Sequence, residues 1–200
     1  GFLAVTEKVL RRKGKKPGTQ EKRGRFNVKK TIKDRPQEVE NRKTFGHWEL
    51  DTMVSSRGQS KGCLATFVER KTRFYIAIKM DDRSKDSMFL AISSLYNTLT
   101  SKLLKTFTVD RGKEFACFEQ VETEFGIPMY FADAYAAWQR GSNENSNGLL
   151  REFFPKKTDL AKVTLDKLTE ALVLINNRPR KCLGFKTPFD MFKHEIKKLI

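Results

Sequence analysis

The sequence predicts an α/β domain: a ribbon of antiparallel strands followed by alternating strands and helices that close one mixed sheet. Three observations predict it. Residues 1–43 are strongly basic and poor in apolar side chains. From His47 onward, three runs rich in β-branched and aromatic residues follow one another. Beyond Ser84, segments with apolar spacing of three and four alternate with short apolar runs.

The 200-residue chain carries 40 Lys and Arg against 24 Asp and Glu, a formal net charge of +16. Residues 1–43 hold fifteen of the basic and five of the acidic residues, in runs such as Arg11-Arg12-Lys13-Gly14-Lys15-Lys16 and Lys22-Arg23-Gly24-Arg25. This composition forms no core, so residues 1–43 are expected to be an extended basic arm and residues 44–200 the folded core. The charge balance points to a polyanionic partner, because each Lys or Arg on a phosphate releases condensed counterions. No apolar run approaches the roughly 18 residues of a membrane-spanning helix, and no signal peptide opens the chain. Cys63, Cys117 and Cys182 form no CxxC pair, and His47 and His194 supply no zinc spacing. They read as reduced thiols of a cytoplasmic protein, with neither disulfide nor structural zinc.

Trp48 to Val54 reads as a strand. Cys63 to Glu69 and Phe74 to Met80 read as a hairpin around Arg70–Arg73. Ser84 caps a helix with Met88, Phe89, Ile92 and Leu95 on one stripe. Leu104 to Val109 has strand length, Phe115 to Phe125 looks helical up to Gly126, and Ile127 to Phe131 is a further strand. Ser142 is the expected cap of a helix running to Phe154 and broken by Pro155. Thr164 opens a last long helix with Leu165, Leu168, Leu172 and Ile175 on one stripe. The order is three strands, helix, strand, helix, strand, helix, helix: that of a five-stranded ribonuclease H-like sheet flanked by helices, and of several other α/β folds.

Three of the 24 acidic residues stand out. Asp51 lies inside an apolar strand, Asp110 follows Phe107-Thr108-Val109 at a strand's carboxyl end, and Glu144 lies in a helix's first turn. Singly, each has an ordinary role: an edge-strand charge, a turn-former before Gly112, a first-turn acid favoured by the helix dipole. If the strands of Asp51 and Asp110 are neighbours, their carboxylates lie side by side, and a helix crossing that edge brings Glu144 to them. Such a cluster is stable near neutral pH only around a cation. Oxygen ligands without Cys or His favour Mg²⁺ or its substitute Mn²⁺. Two such ions stabilise the attacking and leaving oxygens of a displacement at phosphorus.

Gly46-His47-Trp48-Glu49-Leu50-Asp51-Thr52, Thr108-Val109-Asp110-Arg111-Gly112-Lys113-Glu114-Phe115 and Trp138-Gln139-Arg140-Gly141-Ser142-Asn143-Glu144-Asn145 resemble DDE transposases of the insertion-sequence-30 family. The resemblance continues through Leu149 to Lys156, Asn176-Asn177-Arg178-Pro179-Arg180 and Leu183 to Pro188, and covers roughly residues 20–192. The interval from Asp110 to Glu144, and Arg151 two turns further along the helix, also match that family's pattern. The resemblance implies a ribonuclease H-like integrase core that cleaves transposon ends with Mg²⁺ and transfers the freed 3′-hydroxyl into target DNA. It also implies that DNA-recognition helices precede the core. They are not visible here, so the chain reads as the catalytic part of a longer, nucleoid-associated bacterial protein. A homodimer or higher oligomer is expected in the DNA complex. Leu50 stands where the family usually has Gly, and Ala134, Ala136 and Ala137 fall in a loop usually richer in Pro and Ser.

On this reading Asp51 bridges two metal ions, with Asp110 and Glu144 each completing one site. Arg151 is expected to contact a phosphate, and Asn143, Asn147, Arg140, Arg178 and Lys181 to add DNA contacts. Asn143, Asn145 and Asn147 have helix capping as an alternative, and Arg178-Pro179 has the ending of a helix as its own. Glu49 alternates onto the face of Asp51, either supporting the site or as a surface charge. Two other readings stay open: a ribonuclease H-type nuclease without strand transfer, and a non-catalytic DNA-binding module.

Overall fold

The computed structural model describes residues 27–199, apart from Arg57, Gln59 and Tyr135. Five strands form one sheet: β1 (His47–Val54), β2 (Cys63–Glu69), β3 (Tyr75–Met80), β4 (Thr106–Val109) and β5 (Met129–Phe131). Their order is β3-β2-β1-β4-β5. β1–β2 and β2–β3 pair antiparallel, whereas β1–β4 and β4–β5 pair parallel. The helices are α1 (Gln37–Glu40), α2 (Lys85–Thr98), α3 (Phe118–Phe125), α4 (Gly141–Phe153), α5 (Leu165–Asn176) and α6 (Pro188–Lys197). The mixed sheet flanked by helices is the expected one. The hairpin can be antiparallel because its turn is short, while β4 and β5 are reached through helical crossovers and so run parallel.

Alternation along the strands builds two cores. Trp48 and Leu50 of β1, Phe67 of β2 and Phe107 and Val109 of β4 share one core with Met88, Ile92 and Leu95 of α2 and Val121 of α3. Met53, Leu64, Val68 and Tyr75 share the other with Leu150 of α4 and Leu168, Ala171 and Ile175 of α5. Each large apolar side chain so buried contributes about 1.5–3 kcal/mol. Ser84 and Thr164 cap α2 and α5 by accepting from Ser87 N and Lys167 N. Gly126, at φ 68°, ends α3 in the left-handed conformation.

Several elements differ from the sequence expectation. α4 begins at Gly141, so Ser142 is its second residue and not its cap. The helix expected over Phe115–Phe125 is divided into a 3₁₀ segment (Lys113–Cys117) and α3. Leu165 is largely exposed, because it sits at the first position of α5, before the stripe reaches the sheet. α6 was not foreseen, although Thr187 accepts from Asp190 N and Pro188 stands in its first turn. Its Phe192 stacks on Phe74 at 4.1 Å and meets Phe45 and Trp48 edge-on.

Residues 27–43, assigned above to the basic arm, lie against the core. Thr31 bridges to Phe131, Val39 is fully buried, and Arg35 donates to Thr108 Oγ1 at 3.0 Å while pairing with Glu40. Val28 also packs on the main core and Lys30 pairs with Glu122 of α3, so a segment whose composition forms no core of its own is docked by scattered anchors. The Arg11–Gly18 and Lys22–Arg25 runs lie outside the described residues.

His47 opens β1 from a buried position, its Nδ1 2.8 Å from Thr106 Oγ1. Burial, opposed by Glu38 and reinforced by Lys105, pushes its pKa down to about 4. Neutral His47 is therefore favoured in the folded state. Its contribution is complete above the unfolded value near 6.5 and is lost as pH falls from about 6.5 to about 4. Thermal unfolding followed across that window is expected to show a loss on the order of 2 kcal/mol, and His47→Asn is expected to flatten it.

Candidate active site

The strands carrying Asp51 and Asp110 are neighbours. Parallel pairing sets Glu49 opposite Thr108, so two residues on Asp51 lies beside Asp110, which directly follows β4. Both carboxylates meet one guanidinium. Arg140, immediately before α4, donates from Nη2 to Asp110 Oδ2 at 3.1 Å, and its Nη1 lies 3.5 Å from Asp51 Oδ1 and 3.3 Å from Leu50 O. Burial pushes the Asp51 carboxyl above its ordinary range, Arg140 pulls it back, and the like charge of Asp110 raises it again. A single cation thus satisfies two acids that would otherwise repel each other.

The first eight residues of α4, Gly141-Ser142-Asn143-Glu144-Asn145-Ser146-Asn147-Gly148, contain no apolar side chain. Polar bonds to the sheet set their position instead. Asn143 N donates to Glu49 Oε2 at 3.0 Å, Asn147 Nδ2 donates to Asp51 Oδ2 at 3.1 Å, and Tyr75 OH donates to Asn147 Oδ1 at 2.7 Å. Glu49 is fully buried and paired with Arg70, so it is no surface charge; it anchors α4 over the strand bearing Asp51. Only in the second half of α4 does apolar packing take over, through Leu150 and the adjoining Phe154.

A further acid, to which the sequence pattern gave no role, borders the site. Glu114 is buried, accepts from Thr52 Oγ1 at 3.0 Å and pairs with Arg83 at 2.6 Å. Its carboxylate approaches Gly112 so closely that a Cβ there would lie 2.5 Å from Glu114 Oε2. Gly112 is therefore the residue that lets the loop after Asp110 fold back over Glu114. The Asp-x-Gly-x-Glu spacing was visible in the sequence, but nothing in it marked Glu114 as buried.

The remaining candidate residues divide. Glu144 is exposed on α4, one turn before the Asn147 that touches Asp51. Among the described residues no three His, Cys, Asp or Glu side chains stand close enough to hold a metal ion. Asn143 is fully buried and Asn147 faces the sheet. Arg151 Nη2 donates to Val54 O at 2.7 Å, tying the end of α4 to the end of β1. Arg178 pairs with Glu152 at 3.3 Å on the surface, and Lys181 is exposed in a 3₁₀ turn.

Residues 41–137 match the family model described as "Integrase core domain". The fold is ribonuclease H-like. The chain superimposes on the catalytic core domain of BIV integrase with a TM-score of 0.60 at 19% identity, covering 78% of this chain and 100% of that one. On the HTLV-2 integrase catalytic core, solved with magnesium in a trimeric form, the TM-score is 0.56 at 18% identity, covering 72% and 94%. In sequence the chain is 38% identical over 187 residues to the Escherichia coli transposase InsI of insertion sequence element IS30A, covering 92% of this chain and 48% of that protein. It is 36% identical over 197 residues to the transposase of IS4351 from Bacteroides fragilis, covering 94% and 58%. Over most of its length the chain is thus similar to the insertion-sequence-30 family of DDE transposases. It spans about half the length of the curated relatives it matches.

Removing Arg140 leaves two neighbouring carboxylates without their counter-ion. Arg140→Ala is expected to lower the melting temperature in divalent-free buffer by roughly 2–8 °C, a cost of about 1–2 kcal/mol. Mn²⁺ is expected to restore stability more steeply in the variant than in the wild type. Equal responses to Mn²⁺ in a thermal-shift titration would show that Arg140 does not compete for the acids.

Proposed function

We propose that the chain is the catalytic core of a DNA transposase that cleaves transposon ends and joins the freed 3′-hydroxyl to target DNA. The observation that carries this reading is the meeting of Asp51 and Asp110 at one cationic group, in a chain 38% identical to transposases over nearly its whole length.

The donor set suits a divalent metal. Both acids are hard oxygen ligands already turned to one cation, and the Arg140 guanidinium stands in for that charge. Glu144 lies on the helix face shared by Asn147 and Arg151, and its exposure leaves its side chain free to turn toward the acids. Asp51, Asp110 and Glu144 would hold Mg²⁺, with Mn²⁺ as substitute, at two ions per site. The bound metal would activate the attacking oxygen and stabilise the leaving one at phosphorus. Asp51 is held for this task by Asn147 and by the backbone N–H of Thr52 at 2.8 Å. Arg140, released as metal neutralises the acids, is placed to meet a DNA phosphate. Arg151, Arg178 and Lys181 would add contacts to the DNA backbone. The working unit with DNA is a homodimer or higher oligomer in the bacterial cytoplasm, associated with the nucleoid.

Asp51→Asn, Asp110→Asn and Glu144→Gln are each expected to lower Mg²⁺-dependent cleavage by about 10³-fold or more while DNA binding survives. Cleavage at the wild-type rate by any one of them contradicts the assignment. Pre-cut DNA with free 3′-hydroxyl ends separates transposase from nuclease: joined product supports the transposase, and hydrolysis alone supports a ribonuclease H-type nuclease.

A further inference from the structure

Three residues other than glycine adopt positive φ among the described residues: Arg42 (52°), Arg73 (62°) and Phe185 (64°). Side chains resist this conformation, so its retention marks places where the fold imposes an unfavourable backbone. Arg42 and Arg73 lie within electrostatic reach of each other and of the turn that holds Phe185. Arg42 follows α1, Arg73 closes the β2–β3 hairpin, and Phe185 sits in the loop before α6, which Arg180 closes from both sides. There Arg180 N donates to Lys186 O at 3.0 Å and Phe185 N donates to Arg180 O at 2.9 Å.

Arg42 and Arg180 both lie within electrostatic reach of Arg73, and the acids near them, Glu40, Glu49 and Glu152, form their ion pairs with other arginines. Arg42 has no direct hydrogen-bond or carboxylate partner among the described residues, and Arg73 is bonded through its guanidinium only to the Ser142 hydroxyl. Arg180 donates from Nη2 to Ile175 O at 3.3 Å, and its buried Nε has no partner. Burial, then repulsion from Arg73, holds Arg42 below the ordinary arginine value. Burial, then repulsion from Arg178 and, more weakly, Arg73, does the same to Arg180. The neighbouring Phe185 is 72% exposed, an unusual position for a large apolar ring.

We propose that Arg42, Arg73 and Arg180 form a second phosphate-binding site, which seats the backbone of a DNA strand whose adjoining base stacks on Phe185. Arginine forks match phosphate oxygens, and an exposed ring beside them offers a stacking platform for a base. The proposal rests on the reading of the chain as a DNA-processing core. The sheet register sets the spacing. Ala77 lies opposite Thr66, which lies opposite Asp51, and Arg73 stands four residues earlier on the same chain. That is about 13 Å along the sheet and about 10 Å across it, roughly 16 Å in all. It corresponds to roughly five nucleotides at about 3.4 Å each. A strand engaged at the acids would therefore reach this site within a few nucleotides. The Arg73–Ser142 bond ties the site to the helix that carries Glu144.

Cys182 lies within the cluster and is exposed, whereas Cys63 and Cys117 are buried, so it reports on the site without mutation. Its alkylation by a maleimide is expected to slow at least fivefold when the wild-type chain is saturated with duplex DNA. Arg42→Ala combined with Arg180→Ala is expected to weaken DNA binding about 10- to 100-fold near 0.1 M salt. The same pair is expected to reduce the slope of log K against log salt by about 2. DNA binding by the wild type with unchanged Cys182 reactivity and an unchanged slope in the variant overturns this site alone. A wild type that binds no DNA overturns the DNA-processing reading beneath it. The alkylation measurement uses the native chain, so it stands even if the double variant fails to fold.

Discussion

Glu49 and Asp51 project from the same face of β1, the central strand, beneath a helix whose first half offers no apolar side chain. Two carboxylates in that position must be neutralised, and the structure answers each with one guanidinium. Arg70 pairs with Glu49 where both side chains are almost wholly buried. Arg140 bridges Asp51 and Asp110 where a quarter to a third of each carboxylate side chain meets solvent. The difference in burial separates their roles. A buried pair cannot exchange its partner without several kcal/mol of cost, whereas a pair at the surface can. Glu49–Arg70 is thus a permanent anchor for α4, and the Asp51–Arg140–Asp110 bridge is one that a metal ion can replace.

This arrangement explains why α4 is helical despite its sequence. Gly141, Ser142, Asn143, Asn145, Ser146 and Gly148 are weak helix formers, and an isolated segment of this kind would not hold its shape. Backbone and side-chain bonds to Glu49, Asp51, Tyr75 and Arg73 substitute for a hydrophobic stripe. The acids of β1 therefore place the helix: Glu49 holds its start through Asn143 N, and Asp51, a candidate metal ligand, holds Asn147. The second half of α4 is secured in the ordinary way, by Leu150 and Phe154 in the smaller core.

Much of the fold was legible because periodicity and caps coincided. Ser84, Thr164 and Gly126 mark helix ends in the sequence and in the structure alike, and Cys63–Glu69 is the same strand in both. Legibility failed where a tertiary partner decides. Ser142 has the chemistry of a cap, but Arg73 draws its hydroxyl into a side-chain bond and the helix starts two residues earlier. Val39 and Arg35 stand in a basic, loop-like segment, and only the surface they meet reveals them as buried. At the site, the sequence made the meeting of Asp51 and Asp110 conditional on their strands being neighbours, and the parallel pairing of β1 with β4 meets that condition. The positions of Arg140, Glu49 and Glu114 were not legible, because each depends on contacts between residues 21 to 90 positions apart.

On the function proposed, the Asp51–Asp110 bridge is a cation site which Arg140 occupies until divalent metal is present. A crystal structure of the chain soaked in Mn²⁺, with the ions located by anomalous scattering, tests it most directly. The account predicts manganese about 2.2 Å from carboxylate oxygens of Asp51 and Asp110, Glu144 turned in to join them, and Arg140 displaced from both acids. Arg140 still bridging the two acids, with no manganese bound at either, would contradict it.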